Sequence, residues 1–362
     1  MSSQFDNQIA KPFRIFNGEV SNKATKIFGG EASGICDWDD IKYPHILDLN
    51  KQMFSEYWVE DEIRLGSDLK QYRQDLNDAE RRVYNITSGY LTALDSVADK
   101  LNFVLGYLAT DPSIQQTIQL IGSFEGLHAR SYQYLTSTML DFEEKREAFN
   151  SPKTEPLLAK RNEPVFKEIQ EVVDYAYKAI LGEKWDKEIV QKIFRAIIAN
   201  LVLEGIYFSG AFVYFHSLAR TNRMIESNNM IQMIKMDETQ HAVFWGEVVK
   251  ILMLENEELN TAENFEWAKT FIKKCVELEK EWATYLFADI ETLSIREYRD
   301  YVEYLANIIC RNAGLEEIYP NNTELKSKWI ATYGDKKGAV KADFFQTNVI
   351  NYSHEGGEGF DL

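Results

Sequence analysis

The chain is poor in cysteine and proline. Its three cysteines, Cys36, Cys275 and Cys310, are widely separated among 362 residues and form no Cys-x-x-Cys pair. This usage favours a reducing compartment and argues against a thiolate metal site. Only seven prolines are present, so long helices can run unbroken. We therefore expect a cytoplasmic protein with long helices.

Positive charge is also scarce. Lys and Arg number 40 against 57 Asp and Glu, which gives a formal net charge of −17. A surface of this sign repels phosphates, so general nucleic-acid binding is not expected. No uninterrupted apolar run is long enough to cross a bilayer, and the start of the chain, MSSQFDNQIAKPFRIF, lacks a signal-peptide core. We therefore expect neither nucleic acid nor membrane as a partner.

Strand-like alternation and solenoid repeats are missing, so the sequence predicts an all-α fold. Long helices are predicted at 76–108, from 112 to about 142, at 187–219 and at 222–254, and shorter ones at 45–58, near 165–181, at about 261–287 and at 295–313. A charged, proline-containing region from Glu143 to Pro164 is expected to separate the second long helix from the next helix. Asn77 and Glu80 form a capping-box pattern at the start of the first long helix. Asp111 precedes Pro112 at the start of the second long helix.

Each long helix carries acid at mid-length, where core residues are expected. The candidates are Asp95 and Asp99 in the first helix, Glu125-x-x-His128 in the second, Glu204 in the third and Glu238-x-x-His241 in the fourth. A lone buried carboxylate is unfavourable unless it is paired or bound to a metal. Two Glu-x-x-His pairs with one acid from each of two other helices form the ligand set of a carboxylate-bridged two-metal bundle. Oxygen and nitrogen donors of this kind suit iron or manganese.

The second helix also places a tyrosine beside its metal ligands. At roughly 100° per residue, and with Glu125 as origin, His128 falls at about −60° and Tyr132 at about −20°. The three side chains therefore share one stripe. For the acid of the first helix, Asp95 is preferred, because Asp99 precedes Lys100 and suits the surface although it lies on the same face.

The charges of this candidate set balance those of two metal ions. Four carboxylates neutralise two divalent ions, and without metal they repel one another, so that some stay protonated. The remaining histidines, His45, His216 and His354, lie at a loop, a helix end and the chain terminus and are not interpreted as ligands. Glu226 has polar neighbours and is expected to be solvated.

Four motifs together resemble one family. LDSVAD, FEGLHARSYQYL, LVLEGIYFSGAF and MDETQH are similar, in order and spacing, to the small, radical-generating subunit of class I ribonucleotide reductase, from about Asp37 onward. The resemblance implies a ferritin-like four-helix bundle core, extended by additional helices, with a flexible C-terminal tail. It implies an N-terminal extension at 1–50, a dimetal domain at 51–318 and a docking tail at 319–362. The implied metal ligands are Asp95, Glu125, His128, Glu204, Glu238 and His241.

By the same resemblance, Tyr132 carries a radical. A phenoxyl radical survives only where water and reductants are kept away. Phe208 and Phe212 follow Glu204 by one and two turns, and Ile234 precedes Glu238 by one turn; all three match pocket positions of the family. The alternative for Tyr132 is a packed tyrosine with a hydrogen-bonded hydroxyl, since the chain has 19 tyrosines.

An electron route is implied as well. Asp237 resembles the acid that hydrogen-bonds the first histidine ligand, and Trp58 resembles the tryptophan that completes the relay. The chain has Glu60 where the family usually has proline, which leaves a half-buried core aromatic as the alternative for Trp58. Tyr352 resembles the mobile tyrosine that bridges to the partner, and the final GEGFDL suits a flexible docking peptide or a disordered end.

The implied function is that of ribonucleoside-diphosphate reductase, in its small subunit. Two iron ions, or alternatively two manganese ions or a mixed pair, would react with an oxygen species and oxidise Tyr132. The oxidising equivalent would pass to a large subunit, where ribonucleotide reduction starts. A homodimer and an activating flavoprotein are further implied partners. Two other functions remain open: an iron-storage bundle, and a ligand-binding dimetal oxidase, which usually has Glu where this chain has Asp95.

Overall fold

The computed structural model describes residues 16–180 and 185–335. Within these ranges the chain is helical and contains no β-strand; one isolated antiparallel bridge joins Phe28 and Ala109. The predicted all-α fold is confirmed. Tyr352, His354 and the GEGFDL end lie outside the described residues.

The predicted helices occur in the expected order, and three further helices were not predicted. They are α1 Pro44–Ser55, α2 Gly66–Gln74, α3 Asp78–Leu108, α4 Pro112–Met139, α5 Phe142–Thr154, α6 Pro156–Ile180, α7 Lys187–Val202, α8 Ser209–Arg220, α9 Ile225–Glu255, α10 Ala262–Leu286, α11 Ile295–Asn312 and α12 Lys328–Gly334. A 3₁₀ turn covers Glu60–Glu62, and a π-helical segment, Leu203–Phe208, joins α7 to α8. The four predicted long helices are therefore α3, α4, the continuous α7–α8 helix and α9, and the three helices that were not predicted are α2, α5 and α12.

The two predicted helix starts have the expected caps. The Asn77 side chain accepts a hydrogen bond from the Glu80 amide at 2.9 Å, and the Glu80 carboxylate accepts one from the Asn77 amide at 3.0 Å. The Asp111 carboxylate accepts from the amides of Ser113 and Ile114, with Pro112 at the first position of α4. Amides that have no partner within their helix are satisfied in this way.

The prediction of a separating region from Glu143 to Pro164 is wrong, because that region forms α5 and the start of α6. Asp141 and Glu144 form a capping box that starts α5. Pro152 lacks the amide hydrogen that would bond to the Ala148 carbonyl. The Ser151 hydroxyl donates to that carbonyl instead, at 2.7 Å. The proline is thus accommodated in the last turn of α5.

The continuous helix from Lys187 to Arg220 lies in the core of the bundle. By length and composition alone it is apolar enough to cross a membrane, but 94% of its most apolar window is buried inside the protein. A helix that is apolar all round is expected at the centre of a large helical protein. Its apolar character therefore reflects packing against the neighbouring helices.

The α12 helix lies within the segment that the sequence assigned to the tail. The side chains of Asn228 and Gln232 on α9 both donate to the Tyr333 carbonyl, at 2.9 and 2.7 Å. Lys235 on α9 forms an ion pair with Asp335. Helix α12 is thus fixed to the bundle at its C-terminal end.

Helices α3 and α5 approach each other backbone to backbone at Gly89. A Cβ at this position would lie 2.0 Å from the Ala148 carbonyl oxygen, which is far inside van der Waals contact. At Gly122 on α4, by contrast, a Cβ would meet its nearest atoms at 3.6 Å. The two glycines therefore form a matched pair for testing this helix crossing.

We expect Gly89→Ala to lower the free energy of unfolding of the metal-free protein by about 1–3 kcal/mol, because α3 and α5 must separate. Gly122→Ala should be neutral or stabilising by up to about 1 kcal/mol, since alanine favours a helix. Urea unfolding followed by circular dichroism measures both values. Equal effects of the two variants would contradict the close crossing.

Candidate metal centre

The four long helices bring six donor side chains together at the centre of the bundle. Asp95 comes from α3, Glu125 and His128 from α4, Glu204 from the π-helical segment, and Glu238 and His241 from α9. All six are almost completely buried. The structure therefore collects every residue of the expected ligand set. Asp99, the alternative to Asp95, is exposed.

The donors fall into two overlapping groups of four. One group contains Asp95, Glu125, His128 and Glu238; the other contains Glu125, Glu204, Glu238 and His241. In each group the donor atoms lie within 4.8 Å of one another. Glu125 and Glu238 belong to both groups, so their carboxylates can bridge two ions. Each ion position then has three carboxylates and one imidazole.

Both imidazoles turn Nδ1 toward the carboxylates. His128 Nδ1 lies 3.0 Å from Glu238 Oε1 and 3.9 Å from Asp95 Oδ1. His241 Nδ1 lies 3.3 Å from both Glu125 Oε1 and Glu238 Oε2, and 3.5 Å from Glu204 Oε2. Two nitrogen donors from two helices thus face overlapping sets of carboxylates, with Glu125 and Glu238 common to both.

Most of these donor atoms have no hydrogen-bond partner among the described residues. They include both oxygens of Asp95, Glu125 and Glu238, one oxygen of Glu204, and Nδ1 of both histidines. Buried polar atoms are almost always paired, and unpaired buried charge is strongly unfavourable. Two cations bound between the groups would remove this deficit, so the donor set fits a dinuclear centre.

The protonation of the cluster reflects the same crowding. Burial raises the pKa of Asp95, Glu125 and Glu238, and neighbouring carboxylates raise it further. Burial acts in the same direction on Glu204, but the neighbouring polar groups and the charge of His241 outweigh it, and the pKa of Glu204 is lowered. The Asn200 amide group donates a hydrogen bond to Glu204 Oε1, at 2.9 Å. Without cations, protons must therefore relieve the repulsion.

A second set of contacts fixes the orientation of His128. The Asp237 Oδ2 atom accepts hydrogen bonds from His128 Nε2 at 3.0 Å and from Trp58 Nε1 at 2.8 Å. The proton on Nε2 leaves the Nδ1 lone pair free for a metal. Trp58 is only 2% exposed. Its ring centroid lies 6.5 Å from that of His128, and the two ring planes are inclined by 26°. Trp58, Asp237 and the candidate ligand His128 are thus joined by consecutive hydrogen bonds.

The segment that follows Trp58 is held against α4 by an ion pair. Glu60 opens the 3₁₀ turn, and its carboxylate accepts a hydrogen bond from Arg130 Nε at 2.9 Å. Glu60 thus connects this segment to α4, and Trp58 remains buried beside His128 and Asp237.

Tyr132 lies in a dry environment one turn after His128. The residue is fully buried, and its hydroxyl has no partner among the described residues. Burial raises the pKa of Tyr132 well above its usual value, with further contributions from Asp95 and Glu238. The side chain is therefore a neutral phenol. The predicted pocket residues Phe208, Phe212 and Ile234 are fully buried as well.

Two features of the candidate metal centre were not predicted from the sequence. One is the π-helical segment around Glu204, of a type that is frequent at functional sites. The other is a cleft of about 710 Å³ between α9, α11 and α12, whose lining includes Ser209, Thr239 and Leu305. The same three residues line a small void beside Glu204 and Glu238. Only a thin layer of side chains thus separates the cleft from the donors.

Within the described residues, His45 and His216 lie apart from the two donor groups. His216 is buried, and its Nδ1 lies 2.7 Å from the side-chain oxygen of Asn228. Burial, with the charge of Lys235, lowers the pKa of His216 to about 3. His45 lies 3.7 Å from the Glu247 carboxylate.

Known proteins resemble the chain over most of its length. The family described as "Ribonucleotide reductase, small chain" matches residues 35–326. A ribonucleoside-diphosphate reductase subunit beta of Halalkalibacterium halodurans is 29% identical, over 96% of this chain and 97% of its own. One of Treponema pallidum is 28% identical, over 94% of each. The ribonucleotide reductase R2 subunit from Clostridium botulinum superposes with a TM-score of 0.83, at 25% identity, over 91% of this chain and 100% of its own.

Because the two donor groups share residues, ligand substitutions should differ in their effect on metal content. Glu204→Ala should reduce binding from about two ions per chain to about one, since Glu204 belongs to one group only. Glu238→Ala should reduce binding at both positions. Anaerobic titration with Mn²⁺ or Fe²⁺, with metal analysis, measures the stoichiometry.

Glu226→Ala is the control for these variants, because Glu226 is also an acid of α9 but lies outside both groups. Its metal content should equal that of the unsubstituted protein. Full binding of both ions by the Glu238→Ala protein would contradict the bridged arrangement.

Proposed function

The chain belongs to the ribonucleotide reductase small-chain family, and we propose that its six donor residues hold two iron ions that oxidise Tyr132 to a radical. The protein is the small subunit of a ribonucleoside-diphosphate reductase, an oxidoreductase that works with a large subunit. The reaction of the two subunits supplies deoxyribonucleotides for DNA synthesis. When bound, the metal pair supplies a one-electron oxidant generated from an oxygen species.

One observation supports this function most strongly: two four-residue donor groups share two carboxylates in a dry core. An iron-storage bundle has related ligands, but similarity over nearly the full length of named reductase subunits favours the reductase. The same similarity favours it over a ligand-binding oxidase. Iron is proposed as the metal, with two manganese ions or a mixed pair as alternatives, because the donors accept both elements.

The protein's own contribution is to orient and insulate the reacting groups. Asp237 holds the proton on His128 Nε2, which keeps Nδ1 available for a metal. Tyr132 is placed one turn from His128, in a site closed to water. The apolar residues Phe208, Phe212 and Ile234 are proposed to protect its radical from reductants.

Transfer to the large subunit is proposed to run from the metal centre through Asp237 and Trp58. Their hydrogen bond, at 2.8 Å, supports this route at its inner end. Tyr352 is proposed as the next carrier, in a docking tail that covers 319–362 and includes α12. Residues 1–50 form the proposed N-terminal extension, and 51–318 the dimetal domain.

The oligomeric state, the location, a further partner and an entry path for the oxygen species are also part of the proposed function. The family supports a dimer, and we place the protein in the cytoplasm. An activating flavoprotein is a further partner in this proposal. The cleft beside Ser209, Thr239 and Leu305 is proposed as the entry for the oxygen species, because these three residues also line the small void beside Glu204 and Glu238.

Addition of ferrous iron and air to the metal-free protein should produce a tyrosyl signal in electron paramagnetic resonance. Tyr132→Phe should abolish this signal and keep the metal content, since the Tyr132 hydroxyl has no partner to lose. Tyr84→Phe is the matched control, because Tyr84 is equally buried and lies elsewhere, 3.1 Å from the Ser227 hydroxyl. A full signal in the Tyr132→Phe protein would refute the assignment of the radical.

Deletion of the last six residues, GEGFDL, should abolish ribonucleotide reduction with the large subunit, because the docking peptide is lost. The tyrosyl signal and the metal content should not change, since the donors lie far from this end in sequence. Reductase assays and spectra on the same preparation separate the two effects. Unchanged activity would remove the tail from the proposed interface.

A further inference from the structure

A row of aromatic side chains leads from the neighbourhood of Tyr132 to the protein surface. Tyr90 on α3 is 1% exposed, and its ring lies 6.1 Å from that of Trp282 on α10, centroid to centroid. Trp282 is also buried, and its ring lies 5.8 Å from that of Tyr285, which is 43% exposed. None of these three residues has a role in the metal centre or in the Trp58 relay.

The register of α3 and α4 indicates where the inner end of the row lies relative to Tyr132. Helices α3 and α4 pack antiparallel: a Cβ on Gly106 would lie 3.4 Å from Ile118, and one on Gly122 would lie 3.6 Å from Asn102. Continued along the pair, this register places Tyr90 opposite the turn of α4 that carries Tyr132. Tyr90 is also among the groups whose charge raises the pKa of Tyr132.

The outer end has an acceptor for the proton that it loses together with an electron, while the Arg82 guanidinium, 5.2 Å from the Tyr285 ring centroid, opposes the loss of the electron. The Tyr285 hydroxyl donates to Glu155 Oε2 at 3.2 Å and accepts from Arg82 Nη2 at 2.9 Å. A carboxylate within hydrogen-bond reach can take up the phenol proton. Oxidation then gives a neutral phenoxyl rather than a radical cation, which is more favourable. Trp282 Nε1 has no partner among the described residues, so Trp282 serves as a bridge and not as the terminus.

A side branch toward Tyr207 is disfavoured. The guanidinium of Arg161 lies 3.8 Å from the Tyr207 ring centroid and 5.2 Å from that of Tyr90. A positive charge opposes the removal of an electron from a nearby ring, and more strongly at the shorter distance. The row through Trp282 is therefore the favoured direction from Tyr90.

We propose that Tyr285, Trp282 and Tyr90 form an electron-entry route through which small one-electron reductants in solution return the Tyr132 radical to tyrosine. The inference rests on the proposed function, because the radical must first form. Tyr285 gives one electron inward and its proton to Glu155. The electron passes through Trp282 and Tyr90 to the Tyr132 phenoxyl, which takes up one proton that derives from bulk water. The reductant then supplies one electron to Tyr285, and Glu155 returns the proton.

The test measures how fast an external reductant removes the radical. The protein is loaded with iron and air, oxygen is removed, and hexaammineruthenium(II), an outer-sphere reductant that cannot enter the core, is added. Electron paramagnetic resonance follows the decay of the signal. Trp282→Phe should slow this decay about tenfold, equivalent to about 1.4 kcal/mol in the barrier. Tyr285→Phe should slow it as well, because the proton-coupled terminus is lost.

Two matched variants control for side effects. Trp267→Phe replaces a partly buried tryptophan of the same helix that lies outside the row, in contact with Phe194 and Phe271. Tyr177→Phe replaces another exposed tyrosine. In both variants the tyrosyl signal should decay at the rate of the unsubstituted protein. All variants should start from the same signal intensity and metal content.

The outcomes separate the route from the proposed function. If no tyrosyl signal forms in the unsubstituted protein, the proposed function fails and the route with it. If the signal forms and Trp282→Phe decays at the unsubstituted rate, the route is overturned while the function stands. A slow decay in Trp58→Phe but not in Trp282→Phe would place electron entry on the Trp58 side and also overturn it.

Discussion

The structure depends on one electrostatic constraint: four carboxylates meet in a core that water does not enter. Asp95, Glu125, Glu204 and Glu238 repel one another there, and the two histidines alone do not offset that repulsion. Metal ions remove the conflict by giving every donor a partner. The long helices are the scaffold that makes the arrangement possible, because each contributes one or two of the six donors at the same level of the bundle.

Much of this organisation could be predicted from the sequence. An acid within an apolar helical run is informative because burial without a partner is unfavourable, and two Glu-x-x-His pairs specify both donor type and helix face. The capping signals at Asn77 and Asp111 were equally informative, since their hydrogen bonds are local. Choosing Asp95 over Asp99 required only the neighbouring Lys100. These features depend on residues close together in the chain.

The remaining features depend on contacts between distant residues. The helices of the region from Glu143 to Pro164 were missed because the charge and prolines there suggested a break. The Ser151 hydroxyl, which compensates for Pro152, gives no signal by itself. The ion pair between Glu60 and Arg130 joins residues 70 positions apart. The cleft beside Glu204 exists only because α9, α11 and α12 meet there.

The π-helical segment has a consequence for how the sequence can change. It makes room for one residue more than a regular α-helix would hold between Leu203 and Phe208. Loss of a single residue there would give a more regular helix and leave the later side chains of α8 facing nearly as before, yet it would remove the local widening in which Glu204 lies. Insertions and deletions should therefore be tolerated in the links between helices but not in this one stretch, where the position of Glu204 depends on an irregular helix.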